Sequence, residues 1–232
     1  MPDVNELADL YAYPETDLPW VRTNFVASLD GAVQDSRGLS GHLGGEPDLR
    51  VFTVLRSLCD VILVGAGTVR AEGYKPVRAE SIHAQLREGR ERLPLLALVS
   101  RSLDIPEVLL APGTMVITVQ SSPDEARKRL AEHVDVVVAG DTEIDWHAVL
   151  DSFAARGLIR ILCEGGPELH GSLVENDLVD EACVTISPHL VGGPAKRMTE
   201  GASAVERPMR LGHVVEDEGV LLARWVRERR SA

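Results

Sequence analysis

The apolar run Ile161-Leu162-Cys163 ends at a carboxylate and two glycines, Glu164-Gly165-Gly166, followed by Pro167, Glu168 and Leu169 at the head of a helical pattern. That order of residue types has chemical content. Paired glycines let a main chain come close to a ligand. Pro167 suits the first helical turn, and the unpaired N–H groups there attract an anion such as a pyrophosphate. A carboxylate at the end of a buried strand needs a donor. Glu164 is therefore expected to meet a ligand amine or hydroxyl, or an internal arginine.

Two other strand ends share this character. In residues 63–73, LVGAGTVRAEG, Gly65 and Gly67 free the main chain and Thr68 offers a hydroxyl at a helix start. This is not a Rossmann fingerprint. Arg70 stands where the third glycine should be, and no acidic residue closes a strand about 20 residues later. In residues 96–104, LALVSRSLD, the tripeptide Ser100-Arg101-Ser102 sets hydroxyls and a guanidinium in a row. By itself it reads as an ordinary polar strand end, but its chemistry suits a phosphate monoester such as the 2′-phosphate that separates NADP from NAD. Three such junctions in this order suggest a dinucleotide lying outside the carboxyl ends of an open α/β sheet.

The elements that must carry these junctions are legible from periodicity. Residues 1–19 read as an N-terminal arm with two proline stops, and residues 20–232 as one domain. WVRTNFVASLDG is a strand broken by Leu29-Asp30-Gly31, and residues 46–60 form a helix with Pro47 in its first turn. Short continuous apolar runs such as VILVG read as strands buried on both faces. Residues 75–93 are a charged excursion, solvent-facing or a flap. Helices over 123–133, 145–157 and 167–177 alternate with strands, and three strands end the chain, the last two as a hairpin around 216–219. The pattern predicts an α/β fold with a mixed sheet covered by helices.

Composition bounds the function. The 232 residues are 44% hydrophobic, enough for one sizeable core, and the net charge of −12 argues against a nucleic-acid coat. Local arginines and main-chain amides can still receive a small anion. No apolar stretch is long enough to span a bilayer, and the acidic N-terminus lacks the order of a secretion signal, so the cytoplasm is expected. Cys59, Cys163 and Cys183 lie in apolar runs as inert thiols. With no Cys-x-x-Cys or His-x-x-x-His pair, no metal is expected.

With ASLDG at 27–31, VGAGTVRAEG at 64–73 and EGGPEL followed by LVDEACVTISPHLVGG, the sequence resembles the pyrimidine reductases of riboflavin biosynthesis over residues 20–226. This is the family of the reductase domain of the bifunctional deaminase–reductase. The resemblance implies a dihydrofolate-reductase-like three-layer α/β/α fold with a mostly parallel central sheet and an antiparallel C-terminal edge. It also implies NADPH as cofactor, a homodimer, and reduction of the ribosylamino group of a 5-phosphorylated diaminopyrimidine, or of its deaminated product, to a ribitylamino chain. The zinc deaminase domain of the bifunctional enzymes has no counterpart here, so deamination is not expected of this chain.

Carried over residue by residue, the resemblance sets Val26 and Ala27 beside the nicotinamide. It sets Gly67, Thr68, Glu72, Ser100 and the segment Gly165, Gly166, Pro167, Glu168, Leu169 on the cofactor, where Gly65 and Arg101 join them by residue type. Ser40, Arg56 and Glu164 fall on the substrate. The bifunctional bacterial enzymes tend to follow an Asp at the Glu72 position with a proline and a substrate-holding arginine. Here GYKPVR leaves that role to Lys75 or Arg78, and the loop GLSGHLGGEP is shorter than theirs and lacks their tryptophan. Arg56 is expected to bind the phosphate, unless it only pairs with Asp60, and Glu164 to bind the substrate's polar edge. Asp30 is a candidate proton donor, although its carboxylate also suits a plain turn. Asp180 and Glu181 are expected to cap or pair at a dimer face. The same scaffold would also suit a dihydropterin or dihydrofolate reductase, or a nucleotide-binding protein without catalysis.

Overall fold

The computed structural model describes residues 2–90, 92–201 and 203–228. Its strands are β1 (Trp20–Ser28), β2 (Val61–Gly65), β3 (Leu95–Val99), β4 (Thr114–Thr118), β5 (Asp135–Val138), β6 (Arg160–Cys163), β7 (Glu181–Ser187), β8 (Met209–Asp217) and β9 (Val220–Arg227). They form one nine-stranded sheet in the order β5-β4-β3-β2-β6-β1-β7-β9-β8. Every ladder from β5 across to β7 is parallel, and β9 closes antiparallel against β7 and β8. The chain winds outward from β2 to β5 and then returns to insert β6 between β2 and β1. That reversal opens a crevice at the carboxyl ends of β2, β6 and β1, the place where open α/β sheets take ligands.

Helices cover both faces. α1 (Val4–Leu10), α2 (Gly45–Leu58), α3 (Ala66–Glu72) and α4 (Asp124–Ala131) share one apolar cluster with Ile62, Val64, Leu96 and Leu98. α5 (Trp146–Ala154) and α6 (Pro167–Glu175) share the other with Val61, Leu63, Ala97 and Met115. The run VILVG thus sends alternate side chains into two cores, which is why it lacks a polar face. The layered, mostly parallel fold expected from the sequence is the fold observed, hairpin included.

Three expectations need correction. The N-terminal arm contains a helix: Asp3 and Glu6 form a reciprocal capping box at the start of α1, and Leu7 and Tyr11 are buried in the main core. The excursion over 75–93 is anchored rather than a loose flap. Arg87 is buried and donates to the carbonyls of Ser57 and Cys59, while Arg90 donates to that of Leu58, so two guanidinium groups satisfy the open end of α2. Glu181 does not sit at a surface. It is fully buried and held by Arg22 at 2.5 Å, by Arg224 at 2.9 and 3.0 Å and by the Trp20 indole at 3.1 Å. Arg22 in turn stacks on Tyr13 and donates to the Tyr11 carbonyl, which fastens the N-terminal segment to the sheet. Its companion Asp180 accepts from the Val21 amide. The three cysteines are free and buried, and burial pushes the Cys59 and Cys163 thiols up to about 12. Among the described residues no helix is long and apolar enough to cross a membrane.

Candidate active site

Two of the three sequence junctions are joined directly. The Gly65 amide donates to the Gly165 carbonyl at 2.8 Å, and the Glu164 amide to the Leu63 carbonyl at 2.9 Å, so β2 and β6 end side by side. The glycines are demanded by contact as much as by backbone. A Cβ on Gly166 would lie 2.5 Å from the Thr68 hydroxyl, and one on Gly165, whose φ is +82°, would lie 2.9 Å from the Phe25 ring. The Gly165–Gly166 peptide is cis. No side chain caps α6, so its first N–H groups are left for another acceptor. Gly67 has nothing within 4 Å of where a Cβ would stand. Ser100 is buried at the end of β3, and its hydroxyl accepts from the Leu103 amide at 2.9 Å. Arg101 beside it reaches Glu143 at 3.1 Å in a well-exposed pair.

These strand ends rim one cleft of about 1960 Å³. An ordinary ligand pocket holds roughly 300–1,000 Å³, so there is room for a dinucleotide and a second molecule together. An open glycine, two hydroxyls, an exposed guanidinium and uncapped helix amides make a donor set that fits a phosphorylated dinucleotide.

The far half of the cleft is built on α2. Arg56 places Nε and Nη2 on the two carboxylate oxygens of Glu164, each at 2.7 Å, and the Tyr74 hydroxyl donates to the same carboxylate at 2.7 Å. The guanidinium also stacks on Phe52 at 4.2 Å and faces Tyr74 at 5.3 Å. Burial, then the Glu164 charge, pushes the Tyr74 hydroxyl well above its ordinary value, so it remains a donor. Glu164 therefore finds the internal arginine that its burial demands, and Arg56 pairs with it rather than with Asp60. That two-point contact uses the edge of the guanidinium best shaped for a phosphate. Lys75 lines the same chamber and has no ion-pair partner among the described residues. Ser40 donates through both its amide and its hydroxyl to Glu72, at 2.8 and 2.9 Å, which ties the glycine-rich loop to α3.

All residues expected at the site line this cleft except Ala27, Asp30, Arg78 and Gly165. Ala27 alternates away from Val26 along β1. Gly165 is turned against Phe25 and Gly65. Arg78 is exposed, and its main chain closes a turn with Ser81. Asp30 is held as an acceptor in its turn, the alternative its sequence context also allowed. It accepts from the Ser28 hydroxyl and from the amides of Gly192 and Val191, and these bonds, Ser28 first, hold its carboxyl at about 2. It remains ionised at neutral pH and fastens a turn. Asn24, Asp48, Phe52 and Tyr74 line the cleft without having been expected there. The spacing of 48, 52 and 56 on one helix carried a signal for two of them, whereas nothing local to Tyr74 announced its contact.

Known proteins resemble this chain in sequence and in fold. The chain is 34% identical over 185 residues to the 2,5-diamino-6-ribosylamino-4(3H)-pyrimidinone 5′-phosphate reductase of Methanothermobacter thermautotrophicus, covering 79% of this chain and 84% of that one. It is 31% identical over 181 residues to the protein of the same name from Archaeoglobus fulgidus, covering 75% and 83%. A crystal structure of a pyrimidine reductase-like protein from Corynebacterium diphtheriae superposes with a TM-score of 0.84 at 26% identity, over 97% of this chain and 99% of that one. The pattern that defines the RibD C-terminal domain matches residues 19–222, and the chain belongs to that family.

Proposed function

We propose that this protein reduces the ribosylamino group of a 5-phosphorylated diaminopyrimidine, or of its deaminated counterpart, to a ribitylamino chain with NADPH. The observation that carries this reading is the continuity of one cleft from the glycine rims of β2 and β6 to the Glu164–Arg56–Tyr74 cluster, with Val26 of β1 also lining it. The two archaeal relatives, whose names specify this reduction, support it.

NADPH, when bound, supplies the hydride. The chain supplies position and field. Thr68, Ser100 and the first amides of α6 receive the phosphates, and Arg101 leaves its exposed partner Glu143 for the 2′-phosphate. Val26 offers an apolar surface that excludes water from the reacting carbon. The pyrimidine lies against Phe52, its polar edge toward Glu164 and Tyr74, and Lys75 holds the 5-phosphate with the outer N–H groups of Arg56. We further place the protein in the cytoplasm as a homodimer. The exposed Leu211, Val214 and Trp225 of the β8–β9 hairpin support a second copy packing there.

Incubation with the ribosylamino-pyrimidine phosphate and NADPH or NADH, followed at the nicotinamide absorbance band, tests the assignment. Turnover is expected with NADPH favoured. No oxidation of either cofactor would sink the reading.

A further inference from the structure

The proposed reduction consumes one proton, and the carboxylates considered so far do not provide it. Glu164 is held between Arg56 and Tyr74, and Asp30 is ionised in its turn. The cleft contains another carboxyl group. Asp48 stands in the first turn of α2, and its Oδ1 accepts from the Thr185 hydroxyl of β7 at 2.5 Å. Thr185 pairs in register with Val26, so the carboxyl lies above the β1–β7 pair at the apolar surface described above. Spacing of four residues sets Asp48, Phe52 and Arg56 along the cleft face of α2, about 12 Å from end to end along the axis. One wall thus presents a carboxyl, an aromatic face and the Arg56–Glu164 pair in succession, which suits a flat heterocycle lying on Phe52 between two polar ends.

Clearance for the side chain at this position is built into the chain. A Cβ on Gly44 would lie 2.3 Å from that of Asp48 and 2.5 Å from its Oδ2. Gly44 has φ −88°, open to any residue, so the glycine is required by the side chain at position 48, its Cβ first, rather than by the backbone. The charged side chains nearest it in the sheet order are Glu46, Arg50 and Arg56 on its own helix, Glu72 and Lys75 beyond β2, and Glu164 beyond β6, while Arg70, Arg101, Glu143, Glu168, Glu175, Lys196 and Glu200 line the rest of the cleft. None forms an ion pair with Asp48 among the described residues; Arg50 is engaged by Asp217 and Arg56 by Glu164. Burial raises the pKa of Asp48, and the Thr185 hydroxyl opposes that shift only in part.

We propose that Asp48 is the general acid of this reaction, a catalytic residue that gives its proton to the substrate nitrogen as the adjoining carbon receives hydride. The inference rests on the reductase reading. The step balances. Hydride from the reduced nicotinamide forms a C–H bond at the sugar-derived carbon of the C=N group. The π pair becomes a lone pair on nitrogen, which takes the Asp48 proton. The remaining carboxylate is reprotonated from solvent.

The experiment compares wild type, Asp48→Asn and Thr185→Val with NADPH and the ribosylamino-pyrimidine phosphate across the neutral pH range. Carbon-13 NMR of aspartate-labelled protein without cofactor gives a separate readout. Wild-type kcat is expected to fall as pH rises through the Asp48 pKa, because the protonated form is the active one. Asp48→Asn should lower kcat by about 100-fold or more, change KM far less, and abolish that alkaline limb. Thr185→Val removes a donor to the ionised form and should move the limb to higher pH. The carboxyl resonance missing from Asp48→Asn should titrate above the ordinary aspartate range. The proposal is overturned if Asp48→Asn keeps its kcat, if it loses affinity alone, or if the resonance titrates normally. If Asp48→Asn does not fold, an unmoved limb in Thr185→Val overturns it instead. Absence of turnover in wild type would defeat the reductase reading itself, whereas the outcomes above defeat only the role of Asp48.

Discussion

Arg56 grips Glu164 at two points of 2.7 Å each, across 108 residues of chain. The Glu164 side chain is 2% exposed and that of Arg56 17%, so the pair is a largely buried part of the cleft wall. Such a pair is costly to break from one side, because the group left behind stays buried without its counter-charge.

Arg56→Ala is therefore expected to destabilise the protein by about 3–5 kcal/mol, measured as a lowered urea midpoint with unchanged slope. Glu164→Gln keeps the shape and one acceptor and should cost less. Both should raise the KM for the pyrimidine more than that for NADPH. Equal effects on the two ligands would place the pair outside the substrate half.

The contact between Gly166 and Thr68 gives a second prediction. Gly166→Ala sets a Cβ 2.5 Å from the Thr68 hydroxyl, an overpacking expected to cost about 1–3 kcal/mol. Thr68→Ala removes that oxygen and should restore most of the stability in the double variant, since the remaining Cβ lies at an ordinary 3.9 Å. NADPH affinity, read by calorimetry, should remain low in the double variant if the Thr68 hydroxyl receives a phosphate. Recovery of affinity together with stability would remove Thr68 from the cofactor site.

Arg101 makes a surface pair with Glu143, both side chains more than half exposed. Exposed pairs contribute about 0–1 kcal/mol, so Arg101→Ala should leave the thermal midpoint almost unchanged. Its effect is expected in cofactor choice, as a preference for NADPH over NADH reduced by about tenfold or more, the loss of one charge-assisted contact. An unaltered ratio of kcat/KM for the two cofactors would exclude it as the 2′-phosphate ligand.

His170 links pH to the glycine junction. It is 3% exposed, burial lowers its pKa to about 4, and its ring meets Phe25 edge-on at 4.9 Å, the same Phe25 that packs against Gly165. Unfolding frees the imidazole to take a proton at its ordinary value near 6.5. Stability from the neutral histidine is therefore complete above that value and declines as pH falls toward about 4, by about 3 kcal/mol at most. Denaturation curves at neutral and mildly acidic pH should show this loss in wild type and a flatter dependence in His170→Asn. Parallel dependence in the two proteins would refute the linkage.

The strand ends were legible because each follows an apolar run that can only be a buried strand, and because glycine, hydroxyl and proline have strong local meanings there. Asp30 stayed open between two roles, because an aspartate in a turn and an aspartate donating a proton look the same until the amides around it are located. Residues 75–93 misled for a related reason: their charge suggested solvent, yet Arg87 and Arg90 spend it on the carbonyls that end α2. The helix over Val4–Leu10 was signalled by Asp3 and Glu6 but is only seven residues long, too short for periodicity to reveal.

By itself the amino-acid order determined the alternation of strands and helices, the antiparallel close and the three junctions, since these depend on periodicity and local backbone preference. Only the tertiary structure decided that β6 enters between β2 and β1, bringing Gly165 to Gly65 and Glu164 to Arg56 and Tyr74, and that Thr185 stands beneath Asp48. Those contacts join residues far apart in sequence, and packing of the whole sheet, not any local preference, selects them.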